Sequence, residues 1–314
     1  METFERDSLL INVAKLHYEY QYTQGMIAEK YGISRPFVSK LLTEAIERGI
    51  VTITVNDPNR TENRIEQIIR QKYELRRVIV VPNEIGSDAR ARACAAFGKY
   101  INTIIKSGDT VALGAGQTLN LSGRYLIHRD DLQDIRIVSM EGTQNNLLHS
   151  DYRNETVKAY ADAWGGRPYV LPIPAFIKSA EAKKLIEEEQ SVQSIRAIQR
   201  EANIAIFTVS LVTAGKSTTH VRSGLFTEEE MQSIRQEGAI SNCLFHFLNS
   251  EGKICADQYE KMNSSMPIEW LRQKEYRICI SVGREKIEAI QAIINSGYAN
   301  VLIVDENIAE ALMY

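Results

Sequence analysis

Near the start of the chain Leu9, Leu10, Val13, Leu16 and Tyr20 recur at helical spacing and predict a first amphipathic helix. A second helix follows, with Thr23 as its N-cap, and runs to Tyr31, where Gly32 breaks it. Ser34 is placed to cap a third helix. Pro36 falls in its first turn, where a missing N–H costs nothing, and the helix extends to about Arg48 before Gly49 ends it. Ile50 to Val55 (IVTITV) alternates branched residues and predicts a strand, the wing of a winged helix.

The polar, proline-bearing run NDPNRTEN marks a domain boundary, which gives a first domain over 1–57 and a second over 58–314. Ile65, Ile68, Ile69 and Leu75 then mark a helix that links the domains or pairs with another subunit. Beyond it, short apolar runs alternate with helical patterns. The runs are 77–81, 110–116, 135–140, 169–173, 203–209, 276–283 and 300–306. This alternation predicts an α/β domain with a mostly parallel, Rossmann-like sheet covered on both faces.

The segment TQGMIAEKYGISRPFVSKLL meets several demands of a helix-turn-helix at once. Ala28 is small where two helices approach, Gly32 can take the left-handed turn, and Ile33 fills the corner. Val38 and Leu41 face the core. The side chains left outward are Ser34, Arg35, Phe37, Ser39, Lys40 and Thr43. In a recognition helix Arg35 can fork onto a guanine edge and Ser39 can reach a base or a phosphate, while Lys40 meets phosphate. Thr23 and Gln24 are placed to donate to backbone phosphate at the start of the second helix.

Composition changes this picture in one respect. The whole chain carries a formal charge of −3, so DNA contact must come from a local surface. Residues 1–56 hold six Lys/Arg and seven Asp/Glu, a net −1, so one copy binds weakly and an oligomer is expected to supply several footprints. The acidic N-terminus does not read as a signal peptide and no apolar run is long enough to span a membrane, which predicts a cytoplasmic protein. Four scattered cysteines without a CxxC pair predict reduced thiols and no metal site. No cofactor motif is present in the sequence.

In the second domain GAGQT (114–118) sits between an apolar run and a helix. Gly114 and Gly116 let the backbone approach an anion, successive N–H groups point at it, and Thr118 can add a hydroxyl. Lys286 stands at the start of another helix, a poor place for a cation unless an anion compensates. Gln117, Glu141, Gly142 and Thr143 fall at the mouth of the expected crevice and are candidates for sugar hydroxyls.

The stretch from Leu9 through Val55, with GAGQT, LPIPAF (171–176) and GREKIEAIQAIINSGYANVLIVDENIAEALM (283–313), resembles the SorC family of sugar-responsive bacterial regulators. The resemblance covers 9–313. It implies a winged helix-turn-helix followed by a sensor similar to sugar-phosphate isomerases, a tetrameric assembly, operator DNA as partner and a phosphorylated sugar as effector. Repression is the commoner outcome in the family. The chain departs from the family pattern at GAISN (238–242), where an Asp becomes Asn242, and at FTVS (207–210), where two glycines are lost. Val282 also precedes Gly283 where the family often has Gly-Gly. No lysine lies near Glu141, so a Schiff-base effector is not expected.

Two other readings stand beside this one. An isomerase-type enzyme needs a base near neutrality over a sugar carbon, and Glu141 and Asp109 are the acidic candidates. A DNA-binding protein with an altered or vestigial ligand pocket would keep the fold and ignore sugar phosphates.

Overall fold

The computed structural model describes residues 2–48, 50–51, 62–83, 88–143, 152–212 and 225–314 and divides into two compact units, Met1–Thr61 and Glu62–Tyr314. The first unit holds α1 (Glu2–Tyr18), α2 (Gln24–Tyr31) and α3 (Arg35–Glu47). The Thr23 hydroxyl accepts from the Met26 N–H at 3.2 Å and the Ser34 hydroxyl from the Phe37 N–H at 3.3 Å, so each cap satisfies one orphan donor. Gly32 takes φ +62°, the left-handed turn between α2 and α3. Leu10, Val13, Ile27, Val38, Leu41 and Ala45 are fully buried together and form the unit's core. Tyr20 lies past the end of α1 and is exposed, so it takes no part in that core. Ile50 and Val51 carry no strand, and Val51 packs on the core; Gly49 and the rest of the expected wing lie outside the described residues.

In the second unit the strands are β1 (Arg77–Val81), β2 (Thr110–Leu113), β3 (Arg136–Ser139), β4 (Arg167–Tyr169), β5 (Ile204–Phe207), β6 (Ser210–Leu211), β7 (Ser241–Cys243), β8 (His246–Leu248), β9 (Tyr276–Ser281) and β10 (Val301–Asp305). Seven of them make a wholly parallel sheet in the order β1-β10-β9-β5-β2-β3-β4. The sheet is Rossmann-like, as the alternating apolar runs predict. β4 ends at Tyr169, earlier than the expected 169–173, because Pro172 and Pro174 have no N–H to give a ladder. β6, β7 and β8 form a small antiparallel sheet that the sequence pattern did not reveal.

Ten helices are described in this unit: α4 (Arg64–Lys72), α5 (Ala89–Ile104), α6 (Gln117–Ser122), α7 (Tyr152–Ala163), α8 (Ala180–Glu188), α9 (Gln190–Glu201), α10 (Glu228–Gln236), α11 (Asp257–Met262), α12 (Ile287–Asn295) and α13 (Glu306–Met313). Alternate strand residues build two cores. Ile79, Val111, Ile137, Ile206, Ile280 and Ile303 meet Phe97 and Ile101 of α5 and Tyr160 of α7 on one face. Val80, Ala112, Val138, Phe207, Cys279 and Leu302 meet Ile69 of α4, Ile290 of α12 and Ile308 of α13 on the other. Each such side chain is worth about 1.5–3 kcal/mol on full burial, so the double-sided sheet is the main source of stability. The expected linker helix α4 is part of this core, since Ile69 is buried and Glu66 accepts from the Val80 N–H at 2.8 Å, while Ile68 is exposed.

A buried polar network fixes α9 under the sheet. Arg196 donates to Gln199 Oε1 at 2.9 Å and to the Ser264 carbonyl at 2.7 Å, and it pairs with Glu187. Gln199 donates to the Ser139 carbonyl at the end of β3 at 2.7 Å. Buried Lys274 donates to the Gln199 and Arg200 carbonyls at 2.7 and 2.8 Å, which satisfies the end of α9.

Candidate functional site

Parallel strands put all their carboxyl ends on one edge of the sheet. The chain leaves β2 toward β3 and β4 but leaves β5 toward β9 and β10, so the strand order reverses between β2 and β5. A crevice at such a reversal is where open α/β sheets bind ligands. The loops that end β2, β3, β5 and β9 therefore form its walls.

The loop after β2 carries Gly114 to Thr118. The Gly114 N–H continues the ladder to the Ile206 carbonyl at 2.9 Å, and the Ala115 N–H donates to Glu141 Oε1 at 3.1 Å. Among the described residues the N–H groups of Gly116, Gln117 and Thr118 have no acceptor. Three adjacent free donors make a concave anion-binding backbone. The helix behind them, α6, has only six residues and adds little dipole, so the loop's own donors matter more than the sequence reading supposed.

Lys286 ends the turn that follows β9 and is half-buried. Its backbone N–H donates to the Gly283 carbonyl at 3.0 Å, but its ammonium makes no hydrogen bond or ion pair with any described residue. Burial is the main force lowering its pKa; Arg90 adds to that, and Cys279, Glu285 and Asp305 oppose it. Asp305 is spent elsewhere: Oδ2 accepts from the Gly283 N–H at 2.7 Å and Oδ1 from the Ile308 N–H at 3.0 Å, which fastens the β9 loop to the head of α13. An amine of this kind gains from a bound anion.

Other predicted residues are placed as follows. Glu141 is buried beyond β3 and braces Ala115. Gly142 has a backbone role, since a Cβ there would lie 2.5 Å from the Ile173 carbonyl oxygen and 2.8 Å from the Pro174 carbonyl carbon. Thr143 joins the same contact, its N–H donating to the Ile173 carbonyl at 2.8 Å. Asn242 lies on β7 opposite Ser210, accepts from the Phe245 N–H at 3.2 Å and leaves its buried Nδ2 without a partner. Thr208, where the sequence loses a glycine, has a buried hydroxyl without a partner and sets its methyl 3.3 Å from the place a Gly116 Cβ would take. Asp109 is not at the crevice. It lies at the amino end of β2, engaged with the Lys106 N–H at 2.9 Å and Asn203 Nδ2 at 2.9 Å.

Arg90 was not among the sequence candidates. It stands in the first turn of α5 and donates to Gln117 Oε1 at 3.2 Å. A cation in a first turn is the same signal that singled out Lys286, and it would have found Arg90.

On the first unit Arg35, Ser39 and Lys40 are exposed on α3, their side chains without partners among the described residues. Ser39, Lys40 and Thr43 share a shallow depression with Arg6, Pro36, Glu44 and Glu47. The Thr43 hydroxyl is turned back to the Ser39 carbonyl at 3.1 Å, and the Ser34 hydroxyl serves as a cap. Phe37, read as outward, is half-buried against the core. Gln24 is half-buried in the first turn of α2, and Thr23 is exposed. Arg6 pairs with Glu44 at 2.8 Å and Arg48 with Asp7 at 2.7 Å, which ties α1 to α3. The Arg6 and Arg48 guanidiniums hold Glu44 and Asp7 below the usual carboxylate range.

Residues 57–314 match the family model described as "Putative sugar-binding domain". The chain is 30% identical over 313 residues to the deoxyribonucleoside regulator of Bacillus subtilis (strain 168), with 98% of each chain covered. The chain belongs to the SorC family of sugar-binding transcriptional regulators. It is 25% identical over 313 residues to the erythritol catabolism regulatory protein EryD of Brucella abortus (strain 2308), covering 98% of this chain and 96% of that one. The crystal structure of the full-length sorbitol operon regulator SorC from Klebsiella pneumoniae shares the fold with a TM-score of 0.76, at 22% identity and 98% coverage of each chain. As a member of this family the chain is a sugar-sensing transcription regulator. Among the described residues no helix is long and apolar enough to cross a membrane and no cluster could hold a metal ion.

Proposed function

We propose that this chain is a cytoplasmic repressor of a carbohydrate-use operon, binding operator DNA through α3 and released or retained by a phosphorylated sugar. The observation that carries the effector is the pairing of Lys286, which has no acid partner among the described residues, with the free N–H groups of Gly116, Gln117 and Thr118. A phosphate supplies the acceptors that both lack. Glu141 braces the loop, and the unpartnered Asn242 Nδ2 and Thr208 hydroxyl suit sugar hydroxyls. The names of the relatives, regulators of deoxyribonucleoside, sorbitol and erythritol use, point to polyols and sugars as the chemical class.

On the DNA side Arg35 and Ser39 read bases, Lys40, Thr23 and Gln24 meet phosphate, and Ser34, Phe37 and Thr43 shape the helix that presents them. The unit's own near-neutral charge favours a homo-oligomer, a tetramer in our reading, to add footprints. The chain is read as a non-enzyme: Glu141, the acidic candidate that lies at the crevice, is committed to the Ala115 N–H.

The test is thermal melting of the full chain against ribose, fructose and glucosamine and their phosphates. A ligand at roughly 100 times its dissociation constant adds about 2.7 kcal/mol, a shift of several degrees. The reading expects a shift from a phosphorylated sugar, none from its free sugar, and loss of the shift in Lys286→Ala. Silence across the panel at millimolar ligand would favour the altered-pocket alternative.

A further inference from the structure

The head of α5 adds something to the crevice that the phosphate reading does not need. Arg90 is half-buried there and its guanidinium donates to Gln117 Oε1, the side chain of the residue whose backbone N–H stands free in the loop. No described carboxylate lies within ion-pair distance of Arg90, and its one side-chain partner is the neutral amide. Asp88, two residues before it, is used as the helix cap and accepts from the Arg90 backbone N–H at 2.9 Å. Lys286, near enough to Arg90 for the two charges to be felt, likewise has no hydrogen-bonded acid.

We infer that Arg90 is a specificity-determining residue that makes this crevice selective for a doubly charged phosphomonoester over singly charged esters. The inference rests on the phosphate reading of the loop. Two neighbouring cations repel each other, and a ligand carrying two negative charges offsets that cost more fully than one carrying a single charge. A phosphomonoester has that charge above its second pKa of about 6. A sulfate ester has the same tetrahedral shape and one charge. Arg90 also orients the loop: by holding Gln117 it fixes the turn in which the Gly116, Gln117 and Thr118 donors converge, and a planar guanidinium can keep that hydrogen bond while presenting its other N–H groups to phosphate oxygens.

The experiment is calorimetric titration of the full chain at pH 7.5 with the sugar phosphate giving the largest melting shift in the panel above, and with the sulfate ester of the same sugar. The wild-type chain is expected to bind the phosphate ester at least tenfold tighter. Arg90→Gln is expected to weaken the phosphate ester roughly ten- to hundredfold and the sulfate ester by less, so that the preference narrows. Arg90→Lys keeps the charge and is expected to retain most of the preference. If Arg90→Gln binds both esters like the wild type while Lys286→Ala binds neither, the Arg90 assignment fails and the phosphate reading survives. If Arg90→Gln weakens both esters equally, Arg90 only positions Gln117 and charge selection is wrong. If no phosphorylated sugar shifts the melt of the wild-type chain, the assignment and the reading beneath it fall together.

Discussion

At the scale of single residues, the most informative side chains are those whose local setting conflicts with their chemistry. Lys286 is an amine half out of water, disfavoured by burial and by Arg90, with no acid hydrogen-bonded to it. Its position at a helix start made it legible in the sequence, because a cation there opposes the macrodipole. Arg90 carries the same signal and was missed, since its meaning depends on α5 and the β2 loop meeting in space. Phe37 shows the opposite failure, where helical spacing alone does not distinguish a rim position from an outward one. Gly142 reads as a crevice residue in the sequence, yet the structure uses it for close packing of the β3 loop on the 173–175 segment. Gly142→Ala is therefore expected to destabilise the fold by roughly 1–3 kcal/mol, as overpacking does, in chemical denaturation without ligand. An unchanged midpoint would show that the 173–175 backbone yields freely.

At the scale of elements, strong periodicity and cap residues made most of the fold legible. α2, α3 and the parallel strands follow directly from spacing, from Thr23 and Ser34, and from the apolar runs. The β6-β7-β8 sheet was illegible because strands of two or three residues carry no period. Two elements carry predictions. On α3, Arg35→Ala should lose discrimination between operator and unrelated DNA, while Lys40→Ala should weaken both alike, as titration of labelled duplexes would read. Equal behaviour of the two variants would misplace the reading face. At the end of α9, burial and then Arg200 lower Lys274 to about 8. Folding thus favours the neutral amine, because the folded value lies below the unfolded one of about 10.4. The cost of the charged form is full below about pH 8 and is relieved as pH rises toward the unfolded value. Stability measured relative to Lys274→Met should therefore rise with pH between these limits. A flat difference would mean that the two helix-end carbonyls hold the ammonium as well as water does.

At the scale of the whole molecule, each unit has its own core and its own chemistry. The first unit presents Arg35 and Lys40 on a net charge of −1 over residues 1–56, so a single copy is expected to grip DNA weakly. The second holds a crevice whose donors lack acceptors. Effector control requires that ligand bind one state of the assembly better than another, and by linkage that ligand and DNA change each other's affinity by the same factor. The measurement that tests this most directly is the affinity of the full chain for a duplex selected from random DNA, with and without the sugar phosphate that stabilises it. The account predicts a change of about fivefold or more, as is typical of coupled sites, and none in Lys286→Ala. Binding of ligand and duplex with no effect of either on the other would contradict it.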